Sequence, residues 1–324
     1  MSVKDRLIAL FENNRGEYLS GARIAAELDC TRGAVWKAVK SLQEEGYSIS
    51  AVTNKGYCLD ESTDVLSKAG IEKYLKGGEG LDLQVFRVVD STNTVIRDLA
   101  NNGAKEGTAA ISGEQTKGRG RLGRSFYSPS DTGLYLSILI RPEMSAADAV
   151  KITTAAAVAV AEAIEQVSSR RTDIKWVNDV YIDSKKVCGI LTEAQFNIEN
   201  GGLEYAVVGI GINAYEPRGG FPDEIRDIAG AVLDKPIADM RNRLAAEVLA
   251  RFMRYYKELG ESTFLESYRQ RLMWRQEKIN IINGSTVTPA VMLDVDSSCR
   301  LKVRLENGEE KLISSGEISI RHAQ

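Results

Sequence analysis

The stretch Gln115-Thr-Lys-Gly-Arg-Gly-Arg-Leu-Gly-Arg124 sets Arg119, Arg121 and Arg124 among Gly118, Gly120 and Gly123. Glycine lets a backbone approach a ligand closely, and each guanidinium offers a planar fork of donors to carboxylate or phosphate oxygens. If the stretch is extended, Arg119 and Arg121 point the same way and their forks converge on one anion. It lacks the Gly-Lys-Ser/Thr ending of a P-loop, so it does not cradle β- and γ-phosphates in that manner. Two other segments put lysines beside apolar runs: Lys175-Trp-Val-Asn-Asp179, a tight strand-to-strand turn, and Lys185-Lys-Val-Cys-Gly-Ile-Leu-Thr-Glu193. The competing readings are an Arg-Gly RNA-binding segment, which would normally repeat, a flexible surface loop, and solvated lysines at strand edges. The single histidine is His322, which sets aside histidine acid–base catalysis, serine triads and histidine metal sites. Gly209-Ile-Gly-Ile-Asn-Ala214 fits a relaxed dinucleotide fingerprint, but Tyr-Glu-Pro-Arg-Gly-Gly follows where that motif needs a helix N-terminus, so a Rossmann site is rejected.

The elements around these segments follow from apolar patterning. Runs at 83–89, 108–112, 134–140, 180–182, 187–191 and 205–212 read as strands of one sheet. Ser91 or Thr92 caps a helix through Leu99 that stops at Gly103; a long helix at 146–164 suits packing on the sheet, and 242–259 adds another helix. Several strands succeed one another without a helix, which argues for a mixed sheet and against a doubly wound one. Polar residues 60–64 and the turn-rich stretch 76–80 place a boundary near 60–68.

Before that boundary, Leu7, Leu10 and Phe11 mark a helix over 3–14. Ser20 caps a short helix carrying Ile24, Ala25 and Leu28, and Thr31 caps a third that buries Val35, Val39 and Leu42 and ends at Gly46. Tyr47, Ile49 and Ala51 alternate up to a turn at 53–56, and Tyr57 and Leu59 resume the alternation as a hairpin. Three helices and a hairpin make a winged helix-turn-helix. Arg32, Trp36, Lys37 and Lys40 fall on the open face of the third helix and Lys55 on the wing, where they would meet DNA. A protein-interaction domain is the alternative. One such unit reads a short half-site, so a homodimer on operator DNA is expected.

At 324 residues with 43% hydrophobic and 27% charged composition, the chain suits two or three ordinary globular domains. No apolar run reaches the length of a membrane span, and the first residues lack the apolar core of a signal peptide, so no membrane partner and a cytoplasmic address are expected. Four cysteines stand singly, which predicts free thiols and no structural metal. Net charge is −3, so nucleic-acid binding requires a local patch.

Taken in order, Ser91-Thr92-Asn93, Gln115, the Gly-Arg-Gly-Arg loop, Lys175-Trp-Val-Asn-Asp179, Lys186 with Gly189, and Gly209-Ile-Gly-Ile-Asn213 resemble the biotin protein ligases. The winged helix makes the chain similar to their bifunctional bacterial form, the biotin operon repressor. The likeness spans the whole chain. It implies a multidomain α+β architecture: a winged helix-turn-helix over 1–64, a class II synthetase-like mixed α/β ligase domain over 65–273, and an SH3-like β-barrel over 274–324. Short strands at 279–282, 287–293, 301–305 and 311–314 and an Asn307-Gly308 turn agree with the last. Ser91, Thr92, Asn93, Gln115, Arg119, Gly120, Arg121 and Lys186 would then contact biotin. Arg124, Lys175, Asn178 and Asn213 would serve ATP, with magnesium at Asn178 and no tightly bound prosthetic group. The chain departs from the family at Val177, where proline is usual, and at Cys188, where a smaller residue is common.

The implied reaction joins biotin to the α-phosphate of ATP and transfers it to a lysine of a biotin carboxyl carrier protein of acetyl-CoA or pyruvate carboxylase. Two anions meet in the first step, so positioned cations matter more than a base: Arg119, Arg121 and Lys186, with Arg124 and Lys175 nearer the departing pyrophosphate. The second step needs a neutral lysine amine, and Asp179 is the candidate to orient it. Retained adenylate would act as corepressor. A non-catalytic ligand-sensing regulator and a lipoate-type acyl ligase are the alternatives. Phe221 is the candidate to stack on adenine.

Overall fold

The computed structural model describes residues 2–76, 80–145, 148–196, 202–314 and 318–322. It divides into two compact units, Met1–Lys76 with Lys235–Glu247, and Gly77–Asp234 with Val248–Gln324. Part of the turn-rich stretch, at 77–79, and the expected helix start at Ala146 lie outside the described residues.

In the first unit, α1 (Val3–Asn13) lies where its apolar spacing predicts, and α2 (Gly21–Glu27) and α3 (Arg32–Glu44) begin where their caps predict. Ser2 and Asp5 close a capping box. Ser20 accepts from Arg23 N and Thr31 from Ala34 N, both at 3.1 Å. Each cap stabilises its helix by about 1 kcal/mol. The apolar stripes meet in one core of Leu7, Phe11, Ile24, Val35, Val39, Leu42, Ile49 and Leu59. β1 (Ile49–Val52) and β2 (Gly56–Leu59) form the antiparallel wing. This is the expected helix-turn-helix with a wing.

Past α4 (Lys68–Glu72), the unit is completed by the distant segment Lys235–Glu247. Arg241 Nε meets Asp64 at 2.9 Å, and Ser67 N donates to Asn242 Oδ1 at 3.0 Å. Beside them two buried carboxylates and two half-buried cations form a closed square. Glu12 contacts Arg15 at 2.8 Å and Lys73 at 2.7 Å, and Asp239 contacts the same two cations at 2.8 and 2.5 Å. Burial works against the charge on Lys73, but the carboxylates of Asp239 and Glu12 more than offset it and raise its pKa.

The second unit is built on a seven-stranded sheet of β3 (Asp82–Phe86), β4 (Thr108–Ser112), β5 (Gly133–Ile140), β6 (Asp173–Lys175), β7 (Asp179–Ile182), β8 (Lys185–Phe196) and β9 (Leu203–Asn213). Its order is β3-β4-β5-β9-β8-β7-β6. Only β3 and β4 run parallel, so the sheet is mixed, as the lack of intervening helices predicts. α5 (Thr92–Asn101) and α6 (Ala149–Ser168) pack on it. The alanines of α6 are small enough for the helix to lie close to the strands, and most of its length is buried. Helices α7 (Met240–Lys257) and α8 (Leu265–Arg271) follow, the latter unanticipated from the sequence.

The C-terminal part is a five-stranded antiparallel sheet of β10 (Lys278–Asn283), β11 (Thr286–Val295), β12 (Leu301–Leu305), β13 (Glu310–Ile313) and β14 (Ile318–His322). Its order is β13-β12-β11-β10-β14. The four expected strands and the Asn307-Gly308 turn, with Gly308 at φ 85°, are present, and β14 is an addition. Among the described residues, β13 and β14 stand at opposite ends of this sheet, so a closed barrel is not seen. No helix of the described residues is long and apolar enough to cross a membrane.

Candidate active site

One cavity of the second unit gathers most of the residues singled out by sequence: Ser91, Thr92, Asn93, Gln115, Arg119, Gly120, Arg121, Arg124, Lys175, Asn178, Asp179 and Lys186. Asn213 is not brought there. Its side-chain amide donates to Gly230 O at 3.0 Å and fastens the following loop to the sheet. Phe221 is buried and does not line the cavity either.

The floor is made of glycines. Gly209 and Gly211 alternate on β9 and so share a face, and the register sets Gly189 of β8 opposite Gly211. A Cβ at Gly209 would lie 2.0 Å from Asn93 Oδ1, and one at Gly211 would lie 2.6 Å from the Phe126 ring. The Gly-Ile-Gly pattern therefore belongs to a flat strand on which side chains lie down. The run of β9 into a loop without a helix agrees with the rejection of a dinucleotide site.

One end of the cavity is a neutral polar network. Thr92 donates to Gln115 Oε1 through its backbone N at 2.8 Å and its hydroxyl at 3.1 Å. Gln115 Nε2 donates to Ser128 Oγ at 3.1 Å. Ser137, fully buried in β5, donates to Asn93 Oδ1 at 2.6 Å and lies 2.7 Å from Thr92 Oγ1. Ser91, Thr92 and Asn93 start α5 and are themselves buried, so such groups persist only when hydrogen-bonded.

The other end is cationic. Arg119, Arg121, Arg124, Lys175, Lys186 and Arg321 line it, and Asp179 is the one carboxylate among the described lining residues. Lys186 and Gly189 are three positions apart, so strict alternation would place them on opposite faces. A bulge in the β7–β8 register between Val180 and Tyr181 brings Lys186 to the cavity side. There its Nζ lies 2.7 Å from Asp179 Oδ1. Lys175 rests over the Trp274 ring, 5.4 Å from its centroid, and burial pulls its pKa below the ordinary lysine range.

The Gly-Arg loop is not extended, and its two arginines do not converge. Arg119 bridges to Ser125, Phe126 N donates to Gly118 O at 2.9 Å, and Gly120 N donates to Arg124 O at 2.8 Å. Leu122 takes a positive φ of 57° within the turn Arg121–Gly123. The hairpin so formed sends Arg119 to Glu193, 2.9 Å away, and Arg121 to Asn178 Oδ1 at 3.0 Å. Burial lowers the Arg121 pKa, a sign that its charge is poorly solvated.

Several participants escaped the sequence reading, Ser128 among them. Ser137 had a signal, as a lone hydroxyl inside the apolar run Leu134–Ile140. Phe126, Glu193, Trp274 and Arg321 had none, because only the folded chain brings them to the site.

In the first unit, Arg32, Trp36, Lys37 and Lys40 are exposed on α3 and Lys55 on the wing, where its Nζ lies 5.6 Å from the Tyr18 ring centroid. This patch supplies the local positive surface that a net charge of −3 requires for DNA.

A neutral hydrogen-bonding end, a glycine floor and a cationic end, on one face of a mixed sheet, suit a small acid held against a polyphosphate. That arrangement defines the class of carboxylate-activating ligases. Residues 85–213 match the model of the biotin/lipoate A/B protein ligase family, and residues 4–58 match a helix-turn-helix domain. The bifunctional ligase/repressor BirA of Bacillus subtilis is 34% identical over 97% of this chain and 98% of its own length. That of Escherichia coli is 30% identical over 100% of this chain and 98% of its own. A biotin protein ligase from Aquifex aeolicus, solved with biotin and ATP, superposes with a TM-score of 0.63 at 28% identity, covering 75% of this chain and 99% of that one. The chain belongs to the biotin protein ligases, in their bifunctional ligase/repressor form.

Proposed function

We propose that this protein activates biotin as biotinyl-5′-adenylate and transfers it to a lysine of a biotin carboxyl carrier protein of acetyl-CoA or pyruvate carboxylase. It also represses biotin genes, with the adenylate as corepressor and the winged helix of a homodimer on the operator. The observation that carries this reading is the cavity with one neutral and one cationic end. Biotin's uncharged ring system suits Thr92, Asn93, Gln115 and the glycine floor, which directs its carboxylate toward Lys186 and Arg121.

A carboxylate oxygen then attacks the α-phosphorus and pyrophosphate departs. Arg121 and Lys186 offset charge growing on the α-phosphoryl oxygens, and Lys175, Arg124 and Arg321 hold the leaving pyrophosphate. In transfer, the acceptor amine attacks the anhydride carbonyl, AMP leaves, and the amine loses a proton. Asp179 is the carboxylate in reach to accept a hydrogen bond from that amine. The donor set does not make a resident magnesium site. Asn178 Oδ1 accepts from Arg121, Asp179 holds Lys186, and no cluster of three metal-ligating side chains exists among the described residues. Magnesium enters as part of the ATP substrate. The C-terminal sheet, which supplies Arg321, is the counterpart of an SH3-like barrel.

Two expected results follow from the geometry. Gly209→Ala drives a methyl into Asn93, so biotin affinity by titration calorimetry should fall about tenfold or more, the usual scale of an overpacked contact. Unchanged affinity would remove the floor from the biotin site. Lys175 serves ATP while charged, and burial lowers its pKa. ATP capture is therefore complete at lower pH and declines as pH rises through that depressed value. The alkaline limb of kcat/KM for ATP should begin below the ordinary lysine pKa of about 10.4. It should disappear in Lys175→Arg, whose charge persists; a limb unmoved by that change assigns it to another group.

The deciding experiment incubates the protein with biotin, magnesium, radiolabelled ATP and an apo carrier domain. Labelled adenylate and one biotin added per carrier are expected. Biotin binding without either product would make the chain a ligand sensor.

A further inference from the structure

The geometry points to Glu193 as a positioning residue that straps the Gly-Arg loop across the cavity through Arg119. This rests on the assignment of the cavity as the biotin adenylate site. Glu193 lies on β8, does not line the cavity, and is joined to two residues that do. Its Oε1 meets Arg119 Nη2 at 2.9 Å, and its Oε2 is 3.3 Å from Arg119 Nη1, a two-pronged pairing of carboxylate and guanidinium. The same Oε2 accepts from Asn93 Nδ2 at 2.8 Å. Asn93 also accepts from Ser137 and sits against Gly209 on the floor. One carboxylate thus connects the floor to the loop that covers it.

The consequence concerns what Arg119 does. A guanidinium whose fork is filled by a carboxylate carries little net charge toward a phosphate, whereas the half-buried Arg121 lines the cavity and reaches the neutral Asn178 Oδ1 at 3.0 Å. Arg119 and Arg121 therefore divide the work. Arg121 faces the reacting anions, and Arg119 ties the hairpin Gly118–Phe126 down. Retention of the reactive adenylate, on which both transfer and repression depend, is the property this strap controls.

Glu193→Gln tests it. Glutamine keeps an oxygen for Asn93 and replaces the one that faces Arg119 Nη2 by an amide donor, so the charge and that contact to Arg119 are lost together. The expected result is release of preformed labelled adenylate, trapped by hydroxylamine, that is roughly fivefold faster, the scale of a half-exposed charge pair. Without any ligand, trypsin should also cut faster after Arg119, Arg121 and Arg124. Arg119→Gln, on the exposed loop, should release adenylate as fast, and the double variant no faster than either single one. Additive effects, or release and cleavage equal to the parent's in Glu193→Gln, would overturn the strap. If instead Arg119 stabilises charge on the reacting phosphate, Glu193→Gln will hold or raise the single-turnover rate of adenylate formation with parental release, which also overturns it. A parent that makes no adenylate rejects the cavity assignment, while the tryptic comparison still judges the strap.

Discussion

Lys186→Met should reduce adenylate formation by about 10²- to 10³-fold, the cost of deleting one preorganised charge-stabilising donor. Its ammonium is held 2.7 Å from Asp179 by a bulge that turns it into the cavity, so it needs little reorganisation when charge develops. Methionine retains the length and packing of the stem while removing the charge. It also leaves Asp179 without its counterion, which adds repulsion toward ATP. Single-turnover quench with labelled ATP measures the step, and biotin affinity should fall less than the rate. A rate within about threefold of the parent's would transfer the role to Arg121.

Asp239→Ala should destabilise the winged-helix unit by about 3 kcal/mol, because removing one member of a buried ionic network strands the others. Arg15 and Lys73 would be left sharing Glu12, whose side chain is 1% exposed. Paired carboxylates raise the Lys73 pKa, so the network's contribution is fully present below the unfolded lysine value and is lost as pH rises through the folded one. The loss in Asp239→Ala should appear as a lower midpoint in urea and weaker operator binding, with adenylate formation unchanged. A midpoint equal to the parent's would show that the square does not hold the unit together.

Where local pattern decides, the sequence was legible. Caps at Ser20 and Thr31, the stripes of α1 and α3 and the alternation of β1 and β2 each state a conformation within a few residues. The Gly-Arg loop, the Lys175 turn and Lys186 were visible because charged residues beside apolar strands are unusual. The shape of the loop was not, since it depends on Phe126 pairing back to Gly118 and on Leu122 accepting a positive φ. Glu193 looked like the end of a strand motif, and only its register places it beneath Arg119. Asn213, which the resemblance assigns to ATP, donates instead to the following loop, a contact that no local pattern announces. Nothing local indicates that Lys235–Glu247 belongs with the first unit.

That last feature bears on how the chain is made. Asp64 waits for Arg241, 177 positions later. A ribosome adding about 5 to 20 residues per second needs on the order of ten seconds or more to supply it. During that interval the DNA-reading helices are already outside the tunnel without Asp239 and Arg241, while the cavity's loops and most of its strands emerge. The nascent winged helix therefore remains incomplete until most of the ligase sheet has been synthesised, so a prematurely terminated chain is poorly equipped to occupy an operator.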